Sequence, residues 1–340
     1  MDIRPAFRIG EEEVEPGTRR SVELHVSVLS NRTPMSLPVQ VIHGERSGPS
    51  LFISGVVHGD EVMGVEVIRR LVNHPATEDI CGTLLAVPIV NAYGLISHSR
   101  YMPDRRDLNR SFPGSDHGSL ASILADLLMR EVVMRSNYGI DIHSAALHRT
   151  NLPQIRISPG DEDLLMLAHA FGAPVILLSK LREGTLRQCA LEHGVKVLVY
   201  EGGEALRFDE TAIDAAVTGS LRVMHKIGML RVPPSSGMPD PATVSRSSHW
   251  LRAPEGGIFR SDRRIGHWVV AGQRIGVISD PFGQLEVPVL ASDTGIIIGQ
   301  SHLPVVNRGD ALFHIARAEQ PQARAVAEEE QYIPDEDEII

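Results

Sequence analysis

His58 and Glu61 stand three residues apart directly after the apolar run 51–57, and a second histidine, His143, follows the short segment 138–142. Two imidazoles and one carboxylate form a ligand set that catalytic zinc uses while one coordination position stays open for water. A lone His-x-x-Glu is common and usually marks a solvated turn or a capped helix start, so the motif indicates a metal site only together with the second histidine. The sequence therefore predicts a zinc site formed by His58, Glu61 and His143.

The apolar runs that precede these residues indicate which part of a fold would bring them together. In open, largely parallel sheets, ligands and catalytic groups gather outside the carboxyl ends of the strands. Four runs, 51–57, 83–90, 140–142 and 195–200, each end in a polar residue, namely His58, Asn91, His143 and Glu201. A fifth polar segment, Asp-Leu-Asn-Arg at 107–110, lies between the two histidines. We expect these segments to meet at one edge of a sheet.

On these motifs the chain resembles the zinc carboxypeptidase superfamily and, within it, the succinylglutamate desuccinylase and aspartoacylase family, over roughly residues 20–230. The ligand pattern His-x-x-Glu with a later Asp-x-His is matched by His58, Glu61 and His143. The resemblance implies one zinc ion per chain and a late catalytic glutamate, matched by Glu201. A carboxylate in such a cleft serves as general base, although a strand-end glutamate can also simply bind backbone amides.

The resemblance also implies substrate-binding roles for the segment 107–110. Asn109 and Arg110 would hold the carboxylate of the amino acid portion, and a guanidinium offers the planar fork that suits a carboxylate. In the family, a preceding arginine donates to the carbonyl oxygen that becomes the oxyanion. Arg100 is preferred because Arg-Tyr precedes the signature in the family, while Arg105 is the runner-up and Arg106 stays open.

Two further polar residues receive lesser roles. Asp141, two residues before His143, is expected to orient a ligand imidazole, with a plain strand residue as the alternative. Family members place a late tyrosine near the substrate, whereas this chain has none between Tyr200 and Tyr332. The distal pocket must therefore differ, and Arg156 is predicted as a substitute polar wall that contacts the substrate.

The periodicity of apolar residues predicts an α/β fold, and the resemblance implies a doubly wound mixed sheet of the zinc carboxypeptidase type. Strands are predicted at 21–29, 38–43, 51–57, 140–142, 174–178 and 195–200, and helices at 61–73, 120–135, 161–171, 186–193 and 209–227.

Composition divides the chain into three parts. Residues 1–240 are predicted to form the catalytic domain, ending in a linker rich in proline, serine and glycine at 232–241. Residues 241–318 carry short β segments punctuated by glycine and are predicted to form a smaller C-terminal β-barrel that resembles biotinyl and lipoyl carrier domains. Because no lysine follows Lys226, a carrier function is excluded. Residues 319–340 are predicted to be a disordered acidic tail.

The remaining composition agrees with an ordinary soluble enzyme. The net charge is −10, and seven acidic residues lie in the last part of the chain, so the body is nearly balanced. No basic stripe with interleaved aromatics favours nucleic acid, and no run of about 18 apolar residues favours a membrane. Two cysteines cannot form a disulfide framework. The absence of an apolar leader predicts a cytoplasmic protein, and a homo-oligomer stays open.

These observations together predict a zinc-dependent amidohydrolase that removes a small acyl group from an N-acyl amino acid. Two alternatives remain: a zinc carboxypeptidase that acts on peptides, and a metal-binding protein without catalysis. A deacylase should have its entrance narrowed by the C-terminal domain, whereas a peptidase should have an open groove.

Overall fold

The computed structural model describes residues 4–28, 31–233 and 240–319. The helices are α1 (Met63–Val72), α2 (Ala92–Ser97), α3 (Leu120–Glu131), α4 (Glu162–Phe171), α5 (Leu186–Glu192) and α6 (Glu210–Lys226), with short 3-10 turns at Pro75–Thr77, Leu108–Arg110 and Val133–Arg135. The strands before the linker are β1 (Phe7–Ile9), β2 (Glu12–Val14), β3 (Thr18–Val28), β4 (Pro34–His43), β5 (Arg46–Gly55), β6 (Cys81–Val87), β7 (Tyr138–Ala145), β8 (Arg149–Ile157), β9 (Val175–Leu178) and β10 (Lys196–Glu204). The strands after it are β11 (Thr243–Ser245), β12 (Ser248–Arg252), β13 (Gly257–Ser261), β14 (Trp268–Val269), β15 (Arg274–Ser279), β16 (Glu286–Leu290), β17 (Gly295–Ser301), β18 (Val305–Val306) and β19 (Ala311–Arg317).

A mixed sheet of 13 strands runs through the described residues, with the main order β12-β19-β17-β8-β10-β7-β5-β6-β4-β3. The four strands β10, β7, β5 and β6 are parallel to one another, and β8 and β4 flank them in the antiparallel sense. The register places Glu201 of β10 beside His143 of β7, and Ser54 of β5 beside Asp141. The carboxyl ends of the parallel strands therefore converge, as the strand-end rule predicts.

Two apolar cores lie on opposite faces of this sheet, because successive side chains of a strand point to opposite faces. In β5, Leu51 and Ile53 belong to the core under α1, α4 and α6, whereas Phe52 belongs to the core under α3 and α5. In β6, Leu84 and Leu85 divide in the same way. Helices thus cover both faces, and the predicted α/β fold with a large mixed sheet is confirmed.

The strands after the linker divide between two sheets. β16, β15, β13 and β18 form a sheet of four strands, while β12, β19 and β17 extend the large sheet through the pairing of β17 with β8. A smaller C-terminal β region is therefore present. The closed barrel and the division at residues 240/241 stay predictions, and the acidic tail and most of the linker lie outside the described residues.

Each predicted helix and strand corresponds to an observed element to within a few residues, and the apolar run 83–90 corresponds to β6. Before the linker, β1, β2, α2 and β8 have no predicted counterpart. The segment 149–157 contains asparagine, proline, glutamine and two arginines, which hide its strand character. Within the described ranges, no helix is both long and apolar enough to cross a bilayer.

Candidate metal centre and active site

The loop that carries His58 and Glu61 leaves the end of β5 and enters α1 under local constraint. Val56 adopts a left-handed φ of 56°, an uncommon conformation for a β-branched residue. Gly59 packs against the backbone of α2, since a Cβ atom added there would lie 2.0 Å from the carbonyl carbon of Gly94. The tight turn and the close packing hold both candidate ligands at the strand end.

His58, Glu61 and His143 form a compact, buried cluster. Their candidate ligand atoms all lie within 4.8 Å of one another. The Glu61 carboxylate lies between the imidazoles, with Oε1 2.6 Å from His58 Nδ1 and Oε2 2.8 Å from His143 Nδ1. The three residues are 3 to 4% exposed. Two nitrogens and one carboxylate oxygen that converge in this way fit a zinc ion with one open coordination position.

A carboxylate outside the cluster orients each imidazole. His143 Nε2 donates to Asp141 Oδ2 at 2.8 Å, and His58 Nε2 donates to Asp107 Oδ1 at 3.1 Å. Because a carboxylate can only accept, Nε2 donates its proton in both rings, while Nδ1 of each ring faces an oxygen of Glu61. A neutral ring that keeps the Nε2 proton would leave its Nδ1 lone pair for a metal in the cluster. Such carboxylate–histidine pairs typically support metal ligands.

The pKa of each cluster residue depends on its burial and on the charged side chains that face it. Burial lowers the pKa of His143, but the Asp141 and Glu61 carboxylates outweigh burial and raise the pKa well above its usual value. The same opposition, with Glu61 and Asp107 as partners, raises the pKa of His58. Burial raises the pKa of Glu61, but the two histidines outweigh it and the pKa is lowered. A bound metal cation would take the place of the imidazolium protons.

Asp141 gives a first prediction, because its carboxylate accepts from both His143 Nε2 and the Ser54 hydroxyl at 2.8 Å. Asp141→Asn should lower zinc affinity about 10- to 100-fold, since loss of an outer carboxylate weakens the imidazole as a ligand. Competition with a chelator measures the affinity. Ser54→Ala, which keeps the carboxylate, should change it far less, and equal losses in both variants would contradict the role of Asp141.

Arg100 lies beside the cluster. Its Nη1 is 3.2 Å from Glu61 Oε1, and its Nη2 donates to Asp107 Oδ2 at 3.0 Å. Asp107 thus links Arg100 to His58, a connection that sequence reasoning missed. Arg105 and Arg106, the other two candidates for the same role, are exposed and do not line the cavity at the cluster.

Glu201 faces the same cavity from β10, and both of its carboxylate oxygens have a partner. Arg156 Nη1 lies 3.1 Å from Oε1, and Asn151 Nδ2 donates to Oε2 at 2.8 Å. Arg156 and Asn151 both belong to β8, the antiparallel neighbour of β10. The structure therefore brings Glu201 and Arg156 into direct contact, and it adds Asn151.

Asn109 and Arg110 occupy the 3-10 turn that Asp107 caps, and both line the cavity. The Asn109 side-chain oxygen accepts from the backbone N–H of Leu186 at 2.9 Å, which leaves the amide nitrogen for a ligand. Burial lowers the pKa of Arg110, and so does Arg182, against the opposing effect of Asp107. The guanidinium is charged at neutral pH in any case.

The cavity between these groups measures about 460 Å³, a size typical of small-molecule sites. Its wall contains Trp250 of β12 and His314 of β19, whose rings stack with centroids 4.8 Å apart. The Arg149 guanidinium lies over Trp250, 5.0 Å from the ring centroid. Burial, together with Arg156, lowers the pKa of His314 to about 3, so this imidazole is neutral. Strands after the linker therefore complete the cavity.

Positive charge dominates the cavity lining. The cationic side chains are Arg100, Arg110, Arg149, Arg156, Lys180, Arg182 and Arg187, against the carboxylates of Glu61, Asp141 and Glu201. Sequence reasoning singled out only the first two and Arg156, because the others lie in segments without a motif. A cavity with this charge attracts anionic ligands.

Comparison with known proteins agrees with this geometry. The profile described as the succinylglutamate desuccinylase/aspartoacylase catalytic domain matches residues 47–227, more than half of the chain. The chain belongs to this family. The resemblance drawn from the motifs is thereby confirmed, and the matched region contains all three residues of the cluster as well as Glu201.

Relatives of known name and structure cover most of the chain. The N-alpha-acetyl-L-2,4-diaminobutyric acid deacetylase of Halomonas elongata is 29% identical over 299 residues, 82% of this chain and 85% of that protein. A succinylglutamate desuccinylase/aspartoacylase from Rhodobacter sphaeroides superposes with a TM-score of 0.78 at 25% identity, covering 88% of this chain and 96% of its own. The ectoine utilization protein EutE (DoeB) of Ruegeria pomeroyi, in a product-bound structure, gives a TM-score of 0.79 at 22% identity, covering 93% and 98%, a likeness of fold.

Proposed function

We propose that the protein is a zinc-dependent amidohydrolase that removes a small acyl group from an N-acyl amino acid. The observation that carries the proposal is the buried cluster of His58, Glu61 and His143, which opens into one cavity with Glu201 and Arg110. A family of deacylases and a deacetylase relative support the reaction class.

The three cluster residues would hold the metal. When bound there, zinc supplies a Lewis acid that polarises the amide carbonyl and activates a water molecule for attack. Asp141 and Asp107 keep the two imidazoles in the orientation that binding requires.

The protein side chains perform the remaining steps. Glu201 takes a proton from the attacking water and passes it to the departing amine, which balances the hydrolysis to one carboxylic acid and one free amine. Arg100, beside Glu61, donates to the carbonyl oxygen as negative charge develops on it. Arg110 and Asn109 hold the α-carboxylate of the amino acid.

The walls of the cavity favour a deacylase over a peptidase. Trp250 and His314, which follow the linker in sequence, form part of the wall of the cavity that the cluster lines. An extended peptide needs an open groove, whereas a small acyl amino acid fits a cavity of this size.

The test is metal analysis of the purified protein followed by a screen of N-acetyl, N-succinyl and N-formyl amino acids for amine release. We expect about one zinc per chain and turnover of at least one N-acyl amino acid. A metal-loaded protein that cleaves peptides but no N-acyl amino acid would contradict the proposal.

Arg110 provides a second prediction. Arg110→Lys keeps the charge but loses the planar fork, so the contact with a carboxylate weakens. A charge-assisted contact contributes roughly 1.5 to 3 kcal/mol, so kcat/KM for a free-carboxylate substrate should fall by about one to two orders of magnitude.

The control for Arg110→Lys is the same substrate with its carboxylate capped as an amide. The capped substrate should be poor for the wild type and hardly worse for the variant. Equal losses on both substrates would show that Arg110 serves the fold or the oxyanion.

A further inference from the structure

The two oxygens of Glu201 are both engaged by strand β8, which is unfavourable for a residue that must accept a proton from water. Oε1 pairs with Arg156 Nη1 at 3.1 Å, and Oε2 accepts from Asn151 Nδ2 at 2.8 Å. Asn151 is a neutral donor that can position a base, whereas the Arg156 guanidinium holds the oxygen in a charge-assisted contact. Each oxygen keeps a second lone pair, but Arg156 occupies one side of Oε1, so release of this contact would give water better access to Oε1.

We propose that Arg156 is an exchangeable partner of Glu201: an anionic group of the substrate, other than its α-carboxylate, takes over the Arg156 guanidinium and frees Oε1 of Glu201 for the attacking water. The inference rests on the proposed function, with Glu201 as the base and Arg110 as the reader of the α-carboxylate. Arg156 is then a positioning residue that makes turnover depend on substrate charge.

The Arg156 guanidinium has unused capacity for such an anion. Its side chain is 27% exposed and lines the cavity. Its Nε is buried and has no hydrogen-bond partner among the described residues. An unsatisfied buried donor is costly, and a carboxylate can bind two guanidinium N–H groups at once. A substrate carboxylate therefore offers Arg156 more than the single contact that Glu201 gives it.

The surroundings of Arg156 favour the arrival of an anion. Arg187 lies next to the pair, and burial together with the Arg156 charge lowers the pKa of Arg187 to about 10, so both guanidinium groups are charged at neutral pH. Arg149 and Lys180 line the same wall. Glu201 is the one carboxylate near these cations that is not part of the metal cluster or its support, within the described lining. The positive charge around Arg156 therefore favours the binding of a second anion in competition with Glu201.

The exchange predicts that anionic and neutral substrates differ in kcat as well as in KM. A neutral substrate leaves Oε1 tied to Arg156, so that fewer bound complexes are competent for attack. An anionic substrate frees Oε1 in the bound complex itself, which raises the rate after binding. Simple charge attraction, by contrast, would change KM and leave kcat alone.

Two isosteric substrate pairs separate these effects. One pair is N-acetyl-aspartate and N-acetyl-asparagine, with the second anion on the amino acid; the other is N-succinyl-glycine and its terminal amide, with the anion on the acyl group. For the zinc-loaded wild type, we expect kcat of the anionic member to exceed that of the neutral member by on the order of tenfold in at least one pair. In Arg156→Gln the ratio should shrink to about twofold or less, because kcat of the neutral member rises once Oε1 no longer pairs with Arg156.

Arg149→Gln is the matched control, because it removes a cation from the same cavity without touching Glu201. It should raise KM for the anionic member and preserve the ratio of kcat values. The ratio is measured on one preparation, so it does not depend on the folded fraction of a variant.

Three results would overturn the exchange. Equal kcat values within both pairs for the wild type would remove the dependence on charge. An Arg156→Gln variant that slows both members in the same proportion would show that Arg156 only supports the fold of Glu201. Metal-loaded protein that turns over no N-acyl amino acid would overturn the proposed function and the exchange with it, whereas the first two results leave the proposed function intact.

Discussion

Glu201→Gln is expected to lower kcat on the order of 10²-fold or more while the protein keeps its metal. Gln keeps the size of the side chain and can still accept from Arg156, but it cannot take a proton from water. The cluster of His58, Glu61 and His143 does not include Glu201, so zinc content should match that of the wild type. Steady-state kinetics and metal analysis on the same preparation check both halves of the expectation.

Glu204→Gln is the matched control for that variant, since Glu204 belongs to the same strand but does not line the cavity. Its carboxylate accepts from the backbone N–H of His148 at 2.9 Å and pairs with Arg207 at 3.0 Å. The control should stay within a few-fold of wild type. A similarly small effect of Glu201→Gln would move the base to another residue.

The part of the site that sequence could predict is the part governed by local signals. An apolar run that ends in His or Glu is visible in a single sequence, and the strand-end rule then brings His58, His143 and Glu201 to one edge. The structure adds the register, in which Glu201 and His143 are neighbours on parallel strands. No local pattern could have supplied that pairing, because strand order depends on contacts between distant segments.

The side-chain contacts that orient the site residues could not be predicted from the sequence for the same reason. Asp107 was seen as part of a motif, but its bond to His58 requires 49 residues of chain to fold back, and its bond to Arg100 spans a loop of seven residues. The ion pair of Arg156 with Glu201 depends on β8, whose mixed composition concealed it as a strand. The wall at Trp250 comes from a region whose composition predicts only short β segments. These features arise from tertiary packing, which propensity does not encode.

His143→Ala should abolish stoichiometric zinc binding and, with it, turnover. His143 supplies one of three candidate ligands, and its ring is held from both sides, by Glu61 at 2.8 Å and by Asp141 at 2.8 Å. Alanine removes the ligand atom and leaves two buried carboxylates facing an empty space, which is unfavourable without a cation. Metal analysis after dialysis against a weak chelator measures the loss, and circular dichroism checks that the variant has folded.

His117→Ala is the histidine control for this experiment, because the His117 side chain is 92% exposed and pairs only with the neighbouring Asp116 among the described contacts. It should keep one zinc per chain and wild-type kcat. If His143→Ala retained stoichiometric zinc with unchanged affinity, the metal would have to lie elsewhere, and the short distances within the cluster would reflect only a buried network of two histidines and their carboxylates. If His143→Ala lost zinc but kept turnover, Glu201 would have to activate the water without a metal. Catalysis would then depend on Glu201 and on Arg156, which pairs with its carboxylate.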